Sequence, residues 1–343
     1  MYFDLAPKAK KEDFFNYDYQ YSELKKAIAG KNPIIAVLGA RRVGKTSLMN
    51  IVFNETTGPK LWLDGRALPD PKKELVSVIY DAARTGKSKI FGKVESLGVS
   101  ALGLGVEIKV GAANRGEMER KIAAARRVVV FIDEAQRADR KELGDILSYF
   151  YDRLPNVVFV LSGSEIGLVE EVLGEKDPAH ALYGRLVVRI KMERFDKSRA
   201  MEFLKAGFLQ AGHSIKEDEI DEAISELDGL AGWLTMYGHR RGLLRKERAL
   251  EETVEIASRI AASELASFMG NRKEKKAYES ILRRANGISW SELKLRVEED
   301  TKGRLSSARF TYLLDELMRY SFIEKEDEKY SVSDQLLRKA TFL

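Results

Sequence analysis

The sequence predicts an α/β protein built on a parallel sheet, with a helical region and a small helix-and-hairpin domain behind it. Three observations carry that prediction. The runs Ile34–Leu38, Val128–Ile132 and Val157–Leu161 are each five apolar residues without interruption, the pattern of strands buried on both faces. Segments between them place apolar residues every three or four positions, which is the helical period. From Asp196 onward helical spacing dominates, and only near residues 321–332 do short strand-like runs return.

Bulk composition narrows the classes. At 343 residues there is room for two or three domains with their own cores. The chain is 44% hydrophobic and 32% charged with a net charge of +5, a balance compatible with nucleic acid but not demanding it. No cysteine occurs, which removes disulfides and thiolate metal sites and fits a cytoplasmic setting. His180, His213 and His239 are scattered, so a zinc site is not expected. Residues 1–19 are charged and lack an apolar secretory core, and nowhere do about 18 apolar residues run together. Neither a secretion signal nor a membrane partner is expected.

Taken in order, the chain begins with Phe14-Phe15-Asn16-Tyr17 ahead of a helix-like run at residues 22–28. These aromatics either stack on a planar ligand or anchor the helix. The strand Ile34–Leu38 leads into Gly39-Ala40-Arg41-Arg42-Val43-Gly44-Lys45-Thr46-Ser47, and a helix over residues 46–54 follows. The spacing Gly-x-x-x-x-Gly-Lys-Thr between strand and helix is the phosphate-binding loop pattern in its confirming context. A triphosphate needs backbone N–H donors at close range, so Gly39 and Gly44 remove Cβ atoms and permit unusual backbone angles. The helix N-terminus adds partial positive charge. Lys45 is placed for the β- and γ-phosphates, and the Thr46 hydroxyl for Mg²⁺. The expected ligand is therefore ATP with Mg²⁺, cradled by residues 39–47.

Leu61-Trp62-Leu63 reads as a second short strand, ending in Asp64-Gly65-Arg66 at what would be the ligand edge of the sheet. Residues 75–83 have helical spacing. Residues 85–116 are rich in Gly and Lys, and within them Leu102, Leu104, Val106, Ile108 and Val110 alternate with polar or small residues. A period of two predicts a strand or hairpin, serving either the fold or a partner. Val128–Ile132 ends in Asp133-Glu134, where Asp133 would hold the Mg²⁺ hydration shell and Glu134 would orient and deprotonate the attacking water. Val157–Leu161 ends in Ser162-Gly163-Ser164-Glu165, where a polar side chain such as Ser164 would contact the γ-phosphate.

The loop at 39–46, the Asp133-Glu134 strand end and the Ser162–Glu165 strand end occur in the order of AAA+-type P-loop ATPases. More narrowly, the set resembles the archaeal ATPases related to the STAND class. Leu182-Tyr183-Gly184-Arg185 resembles the arginine motif that this family carries before its lid. Leu227 to Leu234 resembles the family's Gly-x-Pro-Gly-Trp-Leu lid motif, with Ala231 where proline is usual. The resemblance spans roughly residues 12–340. It implies a parallel-sheet P-loop NTPase (AAA+-like, ASCE) core over 1–195, a helical lid over 196–269 and a winged helix over 270–343. It also implies that Arg185 stabilises charge on the transferring phosphate, from its own subunit or a neighbour; a surface ion pair is the alternative.

The lid is expected as helices at 198–212, 216–227, 233–248 and 250–269, amphipathic in the manner of a small bundle. The basic run Arg240, Arg241, Arg245, Lys246, Arg248 is either a solvated face or a phosphate contact. In the tail, helices are expected at 275–285, 289–297 and 304–320, with a hairpin over 321–332. Three helices and a hairpin suggest a winged helix, whose third helix would enter a major groove. Arg304, Ser306, Ser307 and Arg309 lie where contacts would fall, yet the wing at 324–329 holds four acids against two bases. The function expected is an ATP-hydrolysing switch that relays nucleotide state to a protein partner or to its own copies. The alternative is an ATP-dependent DNA-binding regulator. No Asn-Lys-x-Asp motif follows the later strands, so guanine is not the expected base.

Overall fold

The computed structural model describes residues 1–30, 32–91, 115–174, 177–270 and 272–340. They form two compact units, one of residues 6–193 and one of residues 1–5 with 194–343.

The first unit is a three-layer sheet domain. Its strands are β1 (Ile34–Leu38), β2 (Lys60–Asp64), β3 (Lys89–Phe91), β4 (Val128–Asp133), β5 (Val157–Gly163) and β6 (Val188–Lys191). Among the described residues they make one six-stranded sheet in the order β3-β2-β4-β5-β1-β6. Every pairing is parallel, with Ile34 opposite Phe159, Val128 opposite Val157 and Asp64 opposite Asp133. Both faces of the central strands are covered, which is why they read as unbroken apolar runs. Ile34, Ala36 and Leu38 share a core with α3 (Pro71–Thr85), α5 (Arg140–Arg153) and α6 (Ile166–Leu173). The opposite face meets α2 (Lys45–Glu55), where Phe53 lies edge-on to Trp62 at 5.6 Å and to Phe131 at 5.4 Å. Fully burying such rings contributes about 2–3 kcal/mol each. Helix starts follow the local chemistry: the side chains of Asp70 and Asp139 accept the N–H of Lys73 and Glu142 at the heads of α3 and α5. The alternating run at 102–110 lies outside the described residues.

The second unit is helical, with a small sheet near its end. Its first helices are α7 (Lys197–Gln210), α8 (Glu217–Leu227), α9 (Ala231–Gly238) and α10 (Ala249–Met269). The helix expected over 233–248 is interrupted: α9 stops at Gly238 and His239–Leu243 forms a π turn. Glycines at 238 and 242 weaken helix there, and the Phe3 ring packs against both. The tail holds α11 (Lys275–Arg284), α12 (Trp290–Thr301), α13 (Ser307–Arg319) and α14 (Gln335–Ala340). Its hairpin, β8 (Ile323–Glu326) and β9 (Lys329–Val332), gains a third strand that the sequence did not suggest, β7 (Asn286–Ser289), in the order β7-β9-β8. Asn-Gly-Ile-Ser is short and polar, and its strand geometry comes from pairing with β9. Trp233 Nε1 donates to the buried Asp334 carboxylate at 2.9 Å, and Arg194 bridges Asp228 and the wing residue Glu324. One of the acids counted against DNA binding is therefore occupied by an internal ion pair. The basic run is likewise engaged: Arg240 and Lys246 pair with Glu252, Arg241 with Glu219, and Arg245 donates to the Ala211 and Gly212 carbonyls. No helix among the described residues is long and apolar enough to cross a membrane.

Candidate functional site

The site lies at the C-terminal ends of β1, β4 and β5, where a parallel sheet gathers strand-end side chains. β5 stands between the other two, so the loop after β1 faces the ends of both.

The loop over 39–46 depends on its two glycines. Gly44 has φ +102, a left-handed value, and a Cβ there would lie 3.3 Å from the Phe14 ring. A Cβ on Gly39 would lie 2.3 Å from the Met192 carbonyl oxygen, too close to exist. Val43 is fully buried and Arg42 is left-handed at φ +69. Lys45 is 6% exposed, and its ammonium donates to the Gly39 and Ala40 carbonyls at 2.7 Å each. Burial holds its pKa down to about 8, against the opposing pull of Glu134 and Asp133. A buried ammonium satisfied by two loop carbonyls is a group with a strong electrostatic preference for an anion.

Thr46 Oγ1 donates to Asp133 Oδ2 at 3.0 Å, and the Ser162 hydroxyl donates to Asp133 Oδ1. Burial raises the Asp133 pKa and the adjacent Glu134 adds to it, while the Ser162 and Thr46 hydroxyls work against the shift. Thr46 and Asp133 offer hard oxygen donors of the kind Mg²⁺ takes alongside phosphate oxygens. Glu134 sits just past β4 at φ +51, and its Oε2 accepts from Ser164 Oγ at 3.1 Å and from the Gln136 amide. Ser47 Oγ accepts the Lys8 N–H at 3.0 Å. Among the described residues there is no cluster of three or more His, Cys, Asp or Glu able to hold a metal by protein groups alone.

The structure thus brings together the 39–47 loop, Asp133, Glu134 and Ser164. It does not bring Arg185 to them. Arg185 donates to both Asp152 oxygens, at 3.2 and 2.7 Å, and stands over the Tyr151 ring. Asp152 is near the C-terminus of α5, which runs back from the site to the N-terminal ends of the strands. Arg185 itself precedes β6 by three residues. It belongs to the opposite end of the sheet.

Sequence pattern assigns no role to Glu165, the last residue of the strand-end motif. It is 2% exposed and accepts from Arg41 at 2.5 Å and from Arg137 at 2.9 Å, tying the phosphate loop to the end of β5. The signal was an acid directly after a buried strand, with arginine inside the loop. Asp64 caps β2 beside Asp133 and holds Arg66 at 2.7 Å, so both stand at the site's edge. Phe14 and Tyr17 stack at 5.5 Å, and both are buried, with the Phe14 ring beside Gly44.

Residues 14–237 match an ATPase domain family found predominantly in Archaea, and residues 272–333 match the C-terminal winged helix-turn-helix domain of MCM proteins. Among solved structures, a Walker-type ATPase of Pyrococcus abyssi is similar over 100% of both chains, with 29% identity and a TM-score of 0.80. The RuvB Holliday junction branch migration motor of Thermotoga maritima is similar over 96% of both chains, at 12% identity and a TM-score of 0.43. No curated protein matches.

Proposed function

The chain belongs to the family of ATPase domains found predominantly in Archaea, and from that premise we propose that it hydrolyses MgATP as a switch of the STAND kind. The observation that carries the reading is the convergence of Lys45, Thr46, Asp133, Glu134 and Ser164 on the end of one sheet. Lys45 exchanges its two carbonyl partners for β- and γ-phosphate oxygens, while the backbone N–H groups of residues 40–47 face the phosphates. Thr46 and Asp133 would hold magnesium, whose charge offsets that developing on the transferred phosphoryl group. Glu134 accepts the proton of the attacking water, and the Ser164 hydroxyl and Gln136 amide fix its carboxylate. Ser164 also offers the γ-phosphate a donor whose partner changes on hydrolysis. Arg185, held by Asp152 at the far end of the sheet, is assigned to a neighbouring copy's phosphate and not to its own.

The winged helix is proposed as a docking and coupling surface toward a protein partner or a second copy, in the cytoplasm. DNA binding through the same domain is the second reading, favoured by the winged helix-turn-helix match over residues 272–333. Against it, Arg309 on α13 pairs with Glu274, and the wing still carries Glu326 and Asp327 exposed. The decisive test is Glu134→Gln in a single-turnover assay. ATP binding is expected to persist while hydrolysis slows by about 10²–10⁴. A wild-type rate would remove Glu134 as the base.

A further inference from the structure

Three strand-end loops of the sheet unit meet at one carboxylate. Glu165 follows β5, the strand that stands between β1 and β4. Its side chain receives Arg41 from the loop after β1 and Arg137 from the turn after β4. The acid lies under the surface, Arg41 is half-buried and Arg137 is more open. One carboxylate therefore stands against two guanidiniums, and the trio carries a net positive charge at the ligand end of the sheet.

The two arginines share this acid in an unusual way. Elsewhere in the unit Arg66 takes both oxygens of Asp64, and Arg185 both oxygens of Asp152. Arg41 and Arg137 both reach Glu165 Oε1, at 2.5 and 2.9 Å, while Oε2 is buried with no hydrogen-bond partner among the described residues. Two N–H groups of one fork on two oxygens make the strong form of the pair. A buried acceptor left empty is a cost that a fixed brace would have removed. When Arg41 leaves, Arg137 can turn onto both oxygens and the acid stays paired. Arg41 also stands close to the loop's ammonium, which is held on the carbonyls of Gly39 and Ala40, the two residues directly before it. Burial is the main cause of the low Lys45 pKa, and the Arg41 and Arg42 charges press it the same way. Like charges gathered this closely are a site for a polyanion.

We propose that Arg41 is a catalytic residue of its own subunit's site: it rests on Glu165 in the ligand-free protein and moves to the γ-phosphate oxygens of bound ATP, while Arg137 keeps the acid. The role rests on the ATPase reading above. In hydrolysis the water oxygen bonds to the γ-phosphorus, the bond to the β–γ bridging oxygen breaks with its electron pair passing to ADP, and the water's proton goes to Glu134. Arg41 gives up no proton. Its N–H groups donate to the oxygens of the transferring group, a contribution of about 10³–10⁵ in rate where arginine fingers supply it. Glu165 competes for the guanidinium and so restrains turnover.

The test compares the parent with Arg41→Ala, Glu165→Gln and the double variant. Single-turnover hydrolysis is measured, and calorimetry gives the affinity for ADP alone and for ADP with fluoroaluminate, which mimics the transferring phosphate. Arg41→Ala is expected to bind ADP within about twofold of the parent, to bind ADP-fluoroaluminate at least about tenfold more weakly, and to hydrolyse ATP at least about 10²-fold more slowly. Glu165→Gln is expected to hydrolyse ATP about two- to tenfold faster than the parent, because the competing carboxylate is gone. The double variant is expected to be as slow as Arg41→Ala. A pair that only braces the loop against β5 gives Glu165→Gln the opposite sign, as slow as Arg41→Ala, with the double variant no slower than either. That result overturns the proposal, as does a Glu165→Gln rate equal to the parent's or unchanged fluoroaluminate binding in Arg41→Ala. If Arg41→Ala does not fold, the sign of the Glu165→Gln effect decides alone. A parent without turnover overturns the ATPase reading and this role with it, whereas an active parent with both single variants slowed overturns the role of Arg41 alone.

Discussion

The depressed pKa of Lys45 makes nucleotide affinity depend on pH in a direction opposite to that of the nucleotide's own charge. Burial brings the Lys45 pKa from 10.5 to about 8 in the ligand-free protein. Phosphate oxygens in place of the Gly39 and Ala40 carbonyls stabilise the ammonium and return its pKa toward the ordinary range. Binding above pH 8 therefore takes up a proton. Affinity scales as the protonated fraction of the free protein, which is nearly complete at pH 7 and about one in eleven at pH 9. The expected loss is about tenfold, or about 1.4 kcal/mol. The same shift bears on folding. Below pH 8 the buried ammonium costs about 3 kcal/mol, and stability from this group rises as pH climbs from 8 to 10.5, because there the unfolded chain binds the proton and the folded chain does not. The assay is calorimetric titration of ATP at pH 7 and 9 in buffers of different ionisation enthalpy, which reads proton uptake directly. Lys45→Arg is the control, since arginine stays charged and its affinity should stay level over this range. Equal wild-type affinity at both pH values, or an equal fall in Lys45→Arg, would refute the reasoning.

Three further outcomes are expected. Arg185→Ala should cut turnover by about 10³–10⁵ if the guanidinium reaches a neighbour's phosphate, and a loss below about threefold would leave only its pair with Asp152. Trp233→Phe removes one donor from the buried Asp334 carboxylate and should cost about 1–3 kcal/mol. That is read as a melting shift of about 2–4 °C per kcal/mol in a unit of this size, and an unchanged melting temperature would deny the hydrogen bond any weight. Residues 272–343 hold sixteen Lys or Arg against thirteen Asp or Glu, so duplex DNA binding by the whole chain should be weak, with a shallow salt slope. Sub-micromolar binding at physiological salt, abolished by alanine at Arg304 and Arg309, would instead favour the DNA reading.

What could be read from the sequence was what local pattern determines. The five-residue apolar runs are strands because a parallel sheet covered on both faces has no polar side to show. The Gly39–Thr46 spacing located the loop because the backbone there tolerates no Cβ at Gly39 and a left-handed angle at Gly44. Other features depend on partners distant in the chain. Arg41 meets Glu165 across 124 residues, and no spacing rule connects them. The break after Gly238 serves a ring at position 3, and β7 exists only by pairing with β9. Arg185 could be placed by motif but not paired, since Asp152 lies 33 residues back on another element.

The strand order also sets a timetable for synthesis. β1 carries the phosphate loop, yet its two neighbours are β5 and β6, the last strands of the sheet to be made. β2 and β4 can pair as soon as residue 133 emerges, whereas β1 waits with both hydrogen-bonding edges open until residues 157–163 insert beside it. At about 5–20 residues per second that interval is roughly 6–25 s. Until residue 163 emerges the nascent chain therefore has no formed site for ATP, and the apolar segment that will carry the phosphate loop stands with both edges unpaired.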